Sequence, residues 1–361
     1  PLHSPVMTDS SAPLESQVAA AAEAFPRERR ELFLKCAAKL LHGLEAHPAG
    51  GTAALVALAS EAFQWLEHRA PGETRIRVSN PENRPGHTVL EVLQDDHPFI
   101  IDSLGLVMAR FGCRERVVIH PVLHCVRDES GRLVELENGA NGEPRESYVY
   151  IEFVPPIDDS GHLAELEASV RQVMEWVDAV TEDHRRMVRA VRELNANLEY
   201  AGAFLEGGPE RSERVQRFLD WIIDGRFVFV GMRRYRVEHT EEGLEVGIVP
   251  DTGLGMWRDD ASSRLARPRR GTAIPTEIRE DIEDPRIILI SKSHMESRIH
   301  RHGRLDRIVV KEHDDRGELT GFTIIVGLFT RRVLRTPGSQ IPLLSERLRH
   351  CLLYTSPSPR D

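Results

Sequence analysis

Apolar positions recur along the chain with three different spacings, and each spacing predicts a different kind of element. From Leu14 to His47 the residues Phe25, Leu32, Phe33, Cys36, Leu40, Leu41 and Leu44 mostly return to one helical face, and Pro48, Gly50 and Gly51 end the run. A second helix is predicted from Thr52, its N-cap, to His68, with Pro71 and Gly72 closing it. The pattern then becomes β-branched or alternating at Arg75–Val78, Thr88–Leu93, Val117–Val126 and Ser147–Val154, which predicts strands. Between the second and third of these, Ile101, Leu104, Val107 and Met108 give Pro98–Phe111 a helical spacing. Asp96 or His97 would start that helix, Pro98 suits its first turn and Gly112 its end. Asp128–Gly131 suits a turn that lets the third strand, or a short hairpin, return antiparallel.

From His162 to Leu198 the apolar residues step by three and four, interrupted only at His184, which makes a narrow seam along one long helix. Such a seam serves either a coiled coil between subunits or packing on the helix's own domain. After Gly207, Gly208 and Pro209, a short helix from Ser212 to Ile223 leads into a second β-rich region. Its predicted strands are Phe227–Val237, Leu244–Val249, Arg286–Ser291, Asp306–Glu312 and Phe322–Leu334. The stretch Pro250–Pro285 is rich in Gly, Pro and charge, a long excursion of the kind that signals function or disorder.

Composition narrows the class. With 361 residues and 40% apolar content the chain is long enough for two ordinary domains. A formal charge of -10 argues against nucleic acid as the main partner, because phosphate binding needs a concentrated positive surface. Cys36, Cys113, Cys125 and Cys351 show no CxxC spacing, so neither a zinc ribbon nor a redox dithiol is suggested. No apolar run approaches the roughly 20 residues that cross a bilayer, and Pro1–Pro13 lacks the layout of a secretory signal. The expectation is a cytoplasmic chain without a membrane partner. The absence of Met at position 1 and the final CLLYTSPSPRD, which resembles a translated sequencing-library adapter, together lead us to expect a piece of a longer protein with an artefactual tail.

The first motif with chemical content is LQDDHPFIIDS, Leu93–Ser103, at the junction of a strand and a helix. Backbone N–H groups at such a helix start receive a carboxylate or phosphate. Asp95, Asp96, Pro98, Phe99, Asp102 and Ser103 are therefore the candidate effector-binding residues, with an amino acid as the effector. The plain alternative is that the three acids cap the helix and complement its dipole, and their charge would repel an anionic ligand.

The same segment carries a family resemblance. DDHPFIIDSLGLVMARFG resembles the signature of the first ACT-type domain of the large bacterial NAD-specific glutamate dehydrogenases. The likeness continues through VIHPVLHCVRDESGRL, ESYVYIEF, FLDWIIDGRFVFVGMRRYRV, DTGLGMW, LISKSHMESRIHR and LDRIVVKEHDDRGELTGFTIIVGLFT, covering about Thr74 to Arg332. The resemblance implies an α/β chain of α+β type, laid out as a helical segment over 1–73, an ACT-like βαββ domain over 74–160 and a helical connector over 161–210. A mixed PAS-like domain would follow over 211–335, then the start of another helix over 336–350 and the tail over 351–361. It further implies a parent enzyme that oxidises L-glutamate with NAD to 2-oxoglutarate and ammonia, its catalytic groups lying in a separate domain beyond His350. This part would regulate and assemble, self-associate as a homo-oligomer, and hold no catalytic, NAD or metal site of its own.

DTGLG supplies Gly253 and Gly255 but neither the full GxGxxG nor the strand, turn and helix that a dinucleotide needs. His120 and His124 are four apart on a predicted strand, too far along it for an ideal shared ligand set. His294, His300 and His302 accompany Lys292, Arg298, Arg301 and Arg304, whose charge would oppose a cation. Lys292, Arg298, His300 and Arg301 are instead candidate interface residues for an acidic neighbour, an anion or a subunit surface, and the alternative is a solvated loop. Two rival functions stand beside the main one: a stand-alone amino-acid sensor or scaffold built from the same modules, and a metal-dependent enzyme using the later histidines.

Overall fold

In the computed structural model the described residues are 13–42, 51–137, 145–201, 208–241, 243–259, 274–337 and 340–343. The expected tail over 351–361 and the helix expected before it lie mostly outside them. The chain divides into two units, Pro1–Met174 and Glu175–Asp361.

The first unit opens with three helices, α1 (Leu14–Ala22), α2 (Arg27–Leu41) and α3 (Gly51–Leu66). The sequence pattern predicts one helix where α1 and α2 stand. The break falls at Pro26, whose ring clashes with the preceding turn and which has no N–H to give to it. Its carbonyl still serves the new helix, accepting from Arg29 N at 2.8 Å. Phe25, Phe33 and Phe63 meet at centroid distances of 4.6, 5.2 and 5.6 Å and join the connection between α1 and α2 to α2 and α3. Phe33 and Phe63 are fully buried, so truncating either to Ala would cost about 3–5 kcal/mol.

These helices cover a six-stranded antiparallel sheet of β1 (Arg75–Ser79), β2 (Thr88–Asp95), β3 (Arg114–Ile119), β4 (Val122–Arg127), β5 (Leu133–Glu137) and β6 (Arg145–Val154). The order is β1-β2-β6-β4-β5, with β3 also paired to β6. One strand predicted over Val117–Val126 is two, because the His120–Pro121 step interrupts it: proline cannot donate to a ladder. The two pieces share one edge of β6, β3 on its C-terminal half and β4 on its N-terminal end. The turn expected at Asp128–Gly131 forms as an Asx turn, with Asp128 Oδ1 accepting from Ser130 N at 2.9 Å and Arg132 N at 3.0 Å, and β5 returns antiparallel to β4.

The central strands β2 and β6 are buried on both faces, which explains their near-continuous apolar sequence. One face also holds charges. Arg84 Nε lies 2.7 Å from Glu152 Oε1, both side chains about 1% exposed, and Tyr150 Oη donates to the same Glu152 oxygen at 2.6 Å. Arg84 Nη2 reaches the Ala54 carbonyl of α3 at 3.2 Å, so this pair ties helix to sheet.

The helix α5 (Ser160–Ala201) crosses the division between the units. In the second unit its seam residues Met187, Val191, Leu194 and Leu198 join α6 (Gly208–Ile223) in one core, which favours packing within the chain over an intersubunit coiled coil. The sheet there contains β7 (Phe227–Thr240), β8 (Gly243–Ile248), β9 (Leu254–Gly255), β10 (Ile288–Glu296), β11 (Arg304–His313) and β12 (Leu319–Phe329). Its order is β10-β11-β12-β7-β8, antiparallel throughout, with β9 paired to β7. The helices α7 (Thr276–Glu283) and α8 (Arg331–Leu334) complete it. The strand predicted to run to Leu334 stops at Phe329, where Thr330 leads into α8.

The second glycine of DTGLG serves this packing. Gly255 sits at φ 61°, where a Cβ would lie 2.4 Å from the Val230 carbonyl oxygen, so only glycine fits the bridge to β7. Its N–H donates to the buried Asp183 Oδ2 at 2.9 Å, and Arg258 Nε approaches the same oxygen at 3.0 Å. No helix among the described residues is long and apolar enough to cross a membrane.

Candidate functional site

The junction singled out in the sequence lies where β2 ends and α4 (Ile100–Arg110) begins. The helix starts two residues later than its Pro98, at Ile100, and its N-cap is Phe99 at φ 76° without a side-chain cap. A bulky side chain in the left-handed region is a strained position of the kind that gathers at ligand sites. Phe99 O nevertheless opens the helix ladder, accepting from Ser103 N at 2.9 Å, and Ser103 is fully buried. Asp102 lies in the first turn, where its charge complements the helix dipole.

The two adjacent acids do separate things. Asp95 Oδ1 pairs with Arg69 at 2.7 Å, and the buried Arg69 also reaches Glu146 Oε1 at 3.1 Å. Glu146 in turn accepts both Nε and Nη2 of Arg127 at 2.7 and 2.8 Å. Asp96 turns to the start of β6: its N–H donates to Arg145 O at 2.8 Å, Oδ2 lies 3.2 Å from Arg145 Nη2, and Oδ1 accepts from Ser147 Oγ at 2.8 Å. Neither acid acts as the helix cap that the plain reading assigned to it, and both are neutralised by arginines. The repulsion of an anionic ligand that their sequence suggests is therefore largely offset.

His120 completes the group, with Nε2 3.0 Å from Ser147 Oγ. Ser147 has one hydroxyl proton and gives it to Asp96, so His120 Nε2 must carry a proton and donate. This is the reverse of a nucleophilic arrangement, in which the imidazole accepts the serine proton. Loss of hydration beside the sheet pushes the His120 pKa down, and the Asp96 carboxylate acts against that shift.

Arg145 and Ser147 were not among the sequence-selected residues, although they stand in or next to the quoted ESYVYIEF run, and His120 was weighed in the sequence only as a metal partner of His124. The signal that finds them is strand register. Pairing of Gln94 with Ser147 and Asp95 with Glu146 carries Asp96 on to Arg145. The site thus offers a mostly covered carboxylate, an arginine 57% exposed, a hydroxyl, an imidazole and a helix start. Chemically it can receive a small polar molecule carrying both an ammonium and a carboxylate.

The basic segment of the second unit is mostly engaged within its own unit. Lys292 Nζ pairs with the buried Asp306 Oδ1 at 2.7 Å, and Arg301 Nη2 donates to Phe329 O at 2.8 Å. Arg298 stacks over Trp176 at 5.4 Å, and His300 sits at φ 65° in the turn. Burial pushes the Asp306 carboxyl up, while Lys292 draws it back. Among the described residues no group of three or more His, Cys, Asp or Glu comes together to hold a metal ion.

Residues 44–170, which include β1–β6 and α4, match the family described as glutamate dehydrogenase, ACT1 domain. That match covers about a third of the chain. The likeness extends past that domain. The chain is 27% identical over 306 residues to the NAD-specific glutamate dehydrogenase of Halomonas elongata, covering 82% of this chain and 19% of that protein. It is 27% identical to the enzyme of the same name from Pseudomonas aeruginosa and 26% to that of Mycobacterium tuberculosis, over 80% and 82% of this chain and 18% and 17% of those proteins. The chain therefore spans about a fifth of the length of the curated relatives it matches, and all three relatives are oxidoreductases by name. The candidate junction Asp95–Ser103 lies inside the residues that match the ACT1 family.

Proposed function

We propose that this chain is a regulatory and assembly region of a large NAD-dependent glutamate dehydrogenase, whose intact form converts L-glutamate, NAD and water to 2-oxoglutarate, ammonia and NADH. The observation that carries the reading is the likeness over four fifths of this chain to three NAD-specific glutamate dehydrogenases of which it spans about a fifth, together with the ACT1 domain. In this reading residues 74–160 are the sensing module, 161–210 a connector and 211–335 a PAS-like module, and hydride transfer occurs in other polypeptide. The chain alone is inactive, NAD binds elsewhere in the intact enzyme, and the whole works in the cytoplasm as a homo-oligomer.

The effector is an amino acid held at the β2–α4 junction. Its ammonium faces Asp96 and its carboxylate faces Arg145 and the start of α4, the ion pair between the two residues opening to admit it. Isothermal titration of the purified chain with a panel of amino acids tests this. Heat from at least one of them, lost in Asp96→Asn, is the expected result, and no heat from any removes the effector.

A further inference from the structure

We propose a second amino-acid site, in the Glu175–Asp361 unit and separate from the ACT1 domain, that takes a zwitterionic amino acid with an uncharged aliphatic or thioether side chain. A cavity of about 290 Å³ opens there between α5 and the strands β7, β11 and β12. That volume is at the lower end of small-molecule pockets, right for a ligand of a few heavy atoms. Its floor is apolar, made by Leu194, Met232 and Leu254, each under 9% exposed. Its rim carries Arg186, Arg189 and Arg234 against Glu193, Asp251 and Glu312, three charges of each sign. A ligand with net charge would meet as many like charges as opposite ones, whereas a zwitterion can satisfy both signs at once.

The spacing of the charges agrees. Arg189 and Glu193 lie one turn apart on α5, where side chains of that separation are neighbours. Both are exposed and make no ion pair among the described residues, so they are free to take the carboxylate and the ammonium that an amino acid bears on one carbon. The opposite wall is already fixed. Arg234 holds Glu312 through its Nε, at 2.9 Å, and its Nη2, and Glu312 also accepts from Thr323 Oγ1 at 3.4 Å. Asp251 is at φ 61°, a turn conformation uncommon outside glycine, and Thr252 Oγ1 beside it donates to Val249 O at 2.6 Å. A preformed wall leaves little ordering cost to binding.

The test is titration of the full 361-residue chain with L-leucine, L-methionine, L-glutamate and L-lysine. Two further ligands, 4-methylpentanoate and 3-methylbutylamine, are leucine analogues lacking one charge each. L-leucine or L-methionine is expected to bind, and each analogue to bind about tenfold or more weakly, as loss of a charge-assisted hydrogen bond requires. Arg189→Gln and Glu193→Gln, both at exposed helix positions, are each expected to weaken binding to a similar extent while Asp96→Asn leaves it unchanged. The proposal is overturned if neither neutral amino acid binds, if L-glutamate or L-lysine binds more tightly than both, or if the two α5 variants bind as the parent does. Binding lost in Asp96→Asn alone would assign the ligand to the ACT1 junction and overturn it equally.

Discussion

Ser147 and Asp96, 51 positions apart in the chain, are joined by a 2.8 Å hydrogen bond that links the start of β6 to the entry of α4. Because Ser147 is fully buried and donates its single proton to Asp96, this contact fixes the protonation of His120 on the other side and the position of the Asp96 carboxylate. Ser147→Ala leaves a largely covered carboxylate oxygen short of one donor. It should lower stability by about 1–3 kcal/mol, read as a lower urea midpoint of the chain. No change in midpoint would mean that the contact does not hold the junction.

The Arg84–Glu152 pair is the most deeply buried ion pair described in the sheet of the first unit. Glu152→Ala strands the guanidinium and should cost about 3–5 kcal/mol. A double replacement, Arg84→Met with Glu152→Leu, removes both charges and should recover much of that loss. Thermal unfolding of the three proteins checks it, and a double variant no better than the single one would contradict the argument.

Stability should fall as the solution is acidified through the histidine range. The pKa values of His120 and His313 are both pushed below their ordinary 6.5, His120 by loss of hydration and His313 by burial and then by Lys311. The unfolded chain therefore binds more protons than the folded one in this range, so stability rises with pH. The contribution is present above 6.5 and is lost as pH falls through the lower folded values. Urea midpoints measured across the range should show that slope, and His120→Gln and His313→Gln should each flatten it. A slope unaltered in both variants would assign the dependence to other groups.

Much of this architecture was legible in the chain. The helical face of α4 and the seam of α5 are strongly periodic, and β2, β6 and β11 are rich in apolar residues because both of their faces are covered. Two of the misreadings sit at prolines: Pro26 cuts one predicted helix into α1 and α2, and Pro121 cuts one predicted strand into β3 and β4. At both places the apolar pattern continues across the break, so the break is set by a missing N–H and not by hydrophobicity.

The candidate site was only half legible. Asp95, Asp96, Phe99 and Ser103 lie together because they are neighbours in sequence, and that much a motif can give. His120, Arg145 and Ser147 reach them through sheet pairing and register, which no single-strand pattern contains. Likewise Arg301 reads as a free cation in the sequence but is spent on the carbonyl of Phe329, at the far end of β12.

Glutamate-dependent reduction of NAD by the purified chain is the most direct measurement of the central claim, that these modules support chemistry carried by other polypeptide. No NADH above the enzyme-free rate is expected, alongside a full-length relative that is active under the same conditions. Steady NADH formation by the chain alone, proportional to its concentration and dependent on L-glutamate, would contradict it.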